Sequence, residues 1–246
     1  MKKIICSFVL FCVTVSFCLA NSTALDYYRE GKFFQQRDDF TSAIEQYQEA
    51  LLVNPDYAEA WIALAECAYE MDEYKWALSC LETASKYYKY NLKIQHLKGF
   101  CLIGLGDLQK ATEVFNNTLI DYPNDIESLF GLAQLQALEG KFSAAEKYYV
   151  EALSRESANK KALLSLALIS LKLDKIEQAE NFINQAISHH NNNPEVYYYA
   201  SYISLQKGNL EESEGFIRTA LKLNPKYDKA NALLAYILYA KGKYEQ

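Results

Sequence analysis

Hydrophobic and polar positions alternate along this chain with a helical period, in blocks that come in twos. Leu25, Tyr27, Tyr28, Gly31 and Phe34 fall on one side of a helix. Phe40, Ala43, Ile44, Tyr47, Ala50 and Leu51 form a second stripe. The polar run Arg37-Asp38-Asp39 separates the two. Asn54-Pro55 closes the second, because a residue before proline disfavours the helical region. The spacing therefore predicts two helices joined by a tight turn.

The same unit returns every 34 residues. Ala43 is followed at that step by Ala77, Ala111, Ala145, Ala179 and Ser213. Ala50 leads to Ala84, Thr118, Ala152, Ala186 and Ala220, and Gly31 to Ala65, Gly99, Ala133, Ala167, Ser201 and Ala235. The turn position holds Asp38, Asp72, Gly106, Gly140, Asp174, Gly208 and Gly242, the residue types that leave a helix at least cost. An apolar residue follows two places later each time, from Phe40 to Tyr244. Self-similarity at a fixed period marks a repeat array rather than a set of closed domains. The small columns are spacing devices. Two antiparallel helices approach closely only where facing side chains are small, and a large residue there overpacks the contact.

These residues resemble the tetratricopeptide repeat. Trp61, Leu64 and Ala65 match the opening of its pattern in the second copy. Ala111, Phe115 and Pro123 match its close in the third, and Ala145, Tyr149 and Ala152 in the fourth. Lys89, Ser157 and Asn191 stand where the pattern has its proline, and Gln95 and Lys98 replace large apolar residues of the third copy. These departures weaken the pattern locally. The resemblance implies an all-α fold, a right-handed superhelical solenoid of antiparallel helix pairs. Six repeats would fill residues 24–227, with an incomplete seventh over 228–246. Its apolar segment ALLAYILYA, residues 232–240, lacks the polar outer side of a capping repeat. An association surface is one reading of it; a longer parent chain is the other.

The resemblance also implies a concave groove lined by the first helix of each pair. Its columns hold Ile62, Phe130, Leu164 and Tyr198, then Phe100, Leu168, Tyr202 and Tyr236, then Tyr69 and Tyr239. Family members that clamp a terminal carboxylate use Lys, Asn and Arg there, whereas Tyr28 and Ile62 occupy such positions here. The expected partner is a protein or peptide segment with apolar anchors. The column Glu59, Lys93, Glu127, Lys161, Glu195 and Lys229 alternates in sign and predicts a ladder of ion pairs across layers.

Composition narrows the function. Half of the residues are hydrophobic, and 9 Gly and 4 Pro leave few helix breakers. A formal net charge of −6 without a basic block argues against nucleic acid, whose binding rests on phosphate neutralisation. Met1 to Ala20 reads as a secretory signal: Lys2 and Lys3, an apolar run from Ile4 to Phe17, then Cys18-Leu19-Ala20. Export to the periplasm or medium of a bacterium follows as the expectation, with an uncleaved membrane anchor as the alternative.

Cys67, Cys80 and Cys101 have no metal spacing and read as buried apolar residues, although Cys67 and Cys80 face each other across one hairpin. His189 and His190 read as solvated loop, and His96 has no acid or cysteine at a useful spacing. Gly104-x-Gly106 follows no strand and is no phosphate loop. Without a catalytic constellation, a metal set or a cofactor motif, the chain reads as a non-enzymatic scaffold in envelope assembly or tethering. The alternatives are the N-terminal repeat region of a longer enzyme, such as a glycosyltransferase, and a self-associating module.

Overall fold

The structure, a computed structural model, describes residues 23–242. The expected signal over residues 1–20 and the last residues of the seventh repeat lie outside the described residues. Among the described residues every regular element is a helix. The first, α1, covers residues 23–35. It is followed by α2 (Phe40–Val53), α3 (Ala58–Glu70), α4 (Tyr74–Ser85), α5 (Leu92–Gly104) and α6 (Leu108–Asp121). Then come α7 (Ile126–Leu138), α8 (Phe142–Arg155), α9 (Lys160–Lys172), α10 (Ile176–His189), α11 (Pro194–Gln206), α12 (Leu210–Leu223) and α13 (Asp228–Ala240). The chain divides after Pro123 into two compact units, a division the uniform period does not announce. Unit 1 contains α1–α6 and unit 2 contains α7–α13.

Each hairpin turns at one left-handed residue. Asp38, Asp72 and Asp174 have φ near +60°, and Gly106, Gly140, Gly208 and Gly242 lie between +73° and +84°. The next N–H then reaches back to close the first helix, as in Glu73 N–H to Ala68 O at 2.8 Å and Lys175 N–H to Ser170 O at 2.8 Å. This bond satisfies a carbonyl that the helix end leaves without a partner. Helix starts are capped by side chains: Asp39, Asn91, Asp107, Asp125, Asn159, Asn193 and Asn209 each accept from a backbone N–H of the first turn.

The missing prolines cost less than the pattern implies. Where Lys89 replaces proline, α4 ends at Ser85. Where Ser157 and Asn191 do so, α8 and α10 still run 14 residues, as α2 does. Asn159 and Asn193 cap the helices that follow.

The small columns are the buried axis of both units. Ala43, Ala65, Ala77, Ala111, Ala133, Ala145, Ala167 and Ala179 are all fully buried. Glycine enters the column at Gly31 and Gly99, where the ring of Tyr47 or Phe115 lies across it, whereas Ala133 keeps its methyl because the Tyr149 ring lies against Phe130 at 5.9 Å. A Cβ on Gly31 would stand 2.5 Å from Tyr47 Cε1, and one on Gly99 2.3 Å from Phe115 Cζ. Opposite the smaller Leu81 and Ile183 the column holds Ala65 and Ala167. In the pair α11–α12 the column is polar: Ser201 Oγ donates to Ser213 O, and Ser213 Oγ to Ser201 O, both at 2.8 Å.

Two expectations are corrected. The charge ladder is not uniform. Lys161 reaches Glu127 at 2.8 Å as expected, but Lys93 turns to Glu66 at 2.5 Å and Glu195 pairs with Lys160 at 2.8 Å. Glu66 lies about two turns beyond Glu59 on the same helix and Lys160 one residue before Lys161, and long side chains reach either position. His190 is not solvated loop: its Nε2 lies 2.6 Å from Ala158 O and ties two inter-pair loops together.

Candidate functional site

The faces of the first helices differ between the units. In unit 1, Tyr28 of α1, Glu59, Ile62 and Glu66 of α3, and Lys93 of α5 line a recess of about 310 Å³. Tyr88 and Asn91, from the loop after α4, complete it. That loop is free to do so because α4 stops early. Glu66 accepts from Gln35 Nε2 at 3.3 Å and pairs with Lys93, with Lys32 at 4.0 Å. Glu59 accepts from the Tyr88 hydroxyl at 2.5 Å, which holds that phenol above its usual range. The Tyr28 hydroxyl is pushed up by burial and then by Glu66 and Glu59. Among the expected groove residues here, Ile62 is buried in the core cluster, while Tyr69 and Phe100 are half-buried, their rings against Tyr74 and Phe115.

In unit 2 the Ile62 column is apolar or aromatic through Phe130, Leu164 and Tyr198, the Glu66 column holds Gln134, Leu168, Tyr202 and Tyr236, and the Glu59 column stays charged. Phe130 and Leu164 are buried at 2% and 5% exposure, so they pack between layers and present little to a partner. The Lys161 ammonium sits over the Phe130 ring, 4.4 Å from its centroid. Leu168, Tyr198 and Tyr202 are half-buried. Tyr198 packs edge-on against Tyr199 and against Tyr227 at 5.5 Å, which makes it partly structural. Tyr236 and Tyr239 of α13 are 58% and 67% exposed. The outward apolar surface is therefore carried by Leu168, Tyr202, Tyr236 and Tyr239 rather than by the column that begins at Ile62.

The sequence pattern missed the polar recess. Glu59 and Lys93 read as a structural ladder. The signal available was the missing proline after α4, which lengthens the Tyr-rich loop beside that column.

The three cysteines of the described residues are free and buried. Burial pushes their thiols up, to about 12 for Cys67, about 11 for Cys80 and about 12 for Cys101, so they are poor nucleophiles and poor metal ligands at neutral pH. Among the described residues no group of three His, Cys, Asp or Glu is placed to hold a metal. No described helix is long and apolar enough to cross a membrane.

Comparison with known sequences decides the family. Tetratricopeptide-repeat profiles match residues 34–99 and 136–200, residues 102–162 and residues 194–227. The chain belongs to the tetratricopeptide-repeat family. A TPR repeat-containing protein of Methanocaldococcus jannaschii is 28% identical over 149 residues, 57% of this chain and 24% of that protein's length. The chain thus spans under a third of that relative. Among solved structures, PilW, described as a widely conserved type IV pilus biogenesis factor, superposes with a TM-score of 0.67 at 18% identity, over 87% of this chain and 99% of PilW. Yeast Tom70 gives a TM-score of 0.75 at 14% identity, over 89% of this chain and 47% of Tom70. At these identities the structures share the fold with this TPR protein.

Proposed function

We propose that this TPR protein is a non-enzymatic scaffold that holds a protein or peptide segment on the first-helix face of unit 2. The observation that carries the reading is the apolar and aromatic surface of Leu168, Tyr202, Tyr236 and Tyr239, which share neighbouring columns of the first-helix face and stay outside the core. Tyrosine suits this use, since it offers a large rigid contact with a polar tip at low entropic cost. The reading extends to export and to a role in envelope assembly or tethering, supported by the signal-like residues 1–20. PilW, which has the same fold, is described as acting in pilus biogenesis.

The test is capture of partners from the source cell by the chain beginning at Asn21, compared with Tyr202→Ala/Tyr236→Ala. Loss of capture with unchanged helical circular dichroism is expected. Equal capture by both proteins overturns the reading. Fractionation of cells carrying the full chain tests export.

One observation favours a second reading, self-association through α13. Ala235 is exposed, whereas its six counterparts from Gly31 to Ser201 are buried against a second helix. A mass in light scattering that rises with concentration, and that falls back in Ala235→Glu, is expected on this reading. A constant monomer mass removes it.

A further inference from the structure

A second cleft, of about 540 Å³, opens on the other side of unit 1, between the second helices α4 and α6. Its volume falls within the range of sites that enclose a ligand group. Leu81 and Leu102 supply a buried apolar floor, and Leu78 and Val114 half-buried walls. Polar side chains stand around it: Glu82, Lys98 and Glu113, with Lys110 held by Asp107 at 2.7 Å. No carboxylate pairs with Lys98 among the described residues.

The repeat itself shows what this slot accepts. Two steps further on, the position of Val114 is Phe182, and three steps on it is Phe216. Both rings are half-buried and pack against the core of unit 2, Phe216 also against Tyr197. One step earlier, the position of Lys110 is Trp76, packed against the core of unit 1. The position of Lys98 holds a buried leucine in three other layers, Leu64, Leu132 and Leu166, a buried Ala200 in a fourth, and Glu30 in the first. Of the second helices, α4, α8, α10 and α12 carry a ring at one of these two positions, Trp76, Tyr148, Phe182 or Phe216, whereas α6 has Lys110 and Val114 and α2 has Ser42 and Gln46. The cleft is thus the space of a missing aromatic side chain, with an ammonium added at its wall. Elsewhere in the chain an ammonium stands against a ring, as Lys161 does over Phe130.

We propose that this cleft docks an aromatic side chain presented by a partner peptide. The ring seats on Leu81, Leu102 and Val114, and Lys98 stands against its face. A ring replaces the water over the apolar floor and takes up the cation–π contact that the cleft leaves open. The site lies on α4–α6 and is independent of the tyrosine face of unit 2.

The test uses the folded chain from Asn21 and a capped pentapeptide of glycine and serine with one central phenylalanine, followed by amide NMR. Shifts confined to α4, α5 and α6 are expected. Val114→Phe, which restores the ring of the other layers, should weaken the peptide about tenfold or more. Lys110→Trp, which copies Trp76, serves the same purpose should Val114→Phe lose its helical signal. Lys98→Met should weaken the phenylalanine peptide several-fold and leave a cyclohexylalanine peptide unchanged, since the saturated ring has no π face. The proposal is overturned by binding that Val114→Phe and Lys110→Trp leave intact, or by no binding of the phenylalanine peptide. Shifts at Tyr202 and Tyr236 alone also overturn it. Self-association that Val114→Phe abolishes assigns the cleft to a second copy and likewise overturns it.

Discussion

Unit 1 and unit 2 stack the same helix pairs and clothe them differently. On the first helices of unit 1, Glu66 is held by Lys93 and Gln35, and Glu59 by Tyr88. In the Glu66 column unit 2 has Gln134, Leu168, Tyr202 and Tyr236, while the Glu59 column stays charged there. On the second helices the contrast is in volume: Phe182 and Phe216 fill the space between layers in unit 2, where Val114 leaves it open in unit 1. The axial columns are common to both. A repeat frame therefore separates two tasks by position. Residues that face the axis set the spacing of helices, and residues one turn away are free to acquire a surface. Unit 1 has acquired a charged recess and a cleft, and unit 2 a tyrosine face.

The largest expected effect tests whether the axis is equally tolerant in the two units. Gly99→Ala places a methyl against the Phe115 ring and should cost about 1–3 kcal/mol in urea unfolding. Gly99→Ala/Phe115→Leu recreates the Ala65 and Leu81 pairing and should recover most of that loss. In unit 2, Ala167→Gly introduces no clash and should cost about 1–2 kcal/mol, from helix propensity and the loss of a buried methyl, and Ile183→Leu should not recover it. Failure of Phe115→Leu to recover the Gly99→Ala loss would show that the ring does not dictate the glycine.

A smaller effect separates the units by pH. All three cysteines of the described residues lie in unit 1, with thiols raised above their ordinary value of 9.0 by burial. A raised thiol keeps its proton in the folded state when the unfolded chain has lost it. The stability this gives is fully present below about pH 9 and is lost as pH rises from there towards 12. In residues 21–246, thiol labelling at pH 8 should therefore be negligible until urea opens unit 1, and unit 1 should open at lower urea at pH 10.5. Rapid labelling of the folded chain at pH 8 would contradict the burial.

The smallest effects come from the ion pairs. Lys93→Ala in unit 1 and Lys161→Ala in unit 2 should each change stability by about 0–1 kcal/mol, because both lysines are exposed. The Lys161 change should exceed the Lys93 change at high salt, where its contact with Phe130 outlasts the screened Glu127 pair. A salt response of equal size at both sites would remove that contact as a contributor.

Much of the fold is legible in the sequence because it depends on residue type at one position. The left-handed turns are carried by Asp and Gly, and the tight crossings by Ala and Gly; both recur at a fixed step. What is not legible depends on pairs. Whether Lys93 meets Glu59 or Glu66 is decided by reach, and whether a column holds Gly or Ala by where the side chain opposite lies: Phe115 crosses Gly99, but Tyr149 turns to Phe130 and leaves room for Ala133. The cleft arises because Lys98, Lys110 and Val114 coincide in one layer, and each alone reads as a harmless departure. In the candidate groove, the pattern places residues on a face but does not separate Phe130 and Leu164, which sink between layers, from Tyr236 and Tyr239, which do not.

The left-handed turns have a consequence for how the molecule assembles. Each links two helices only a few residues apart along the chain, so the contacts that close a pair span little sequence. Such contacts form with small loop entropy, and chains rich in them fold fast. Any pair can act as the nucleus on which its neighbours zip. Slowing the reversal at Gly208 or Asp174 alone should then leave the overall folding rate nearly unchanged, because other pairs remain available to start it.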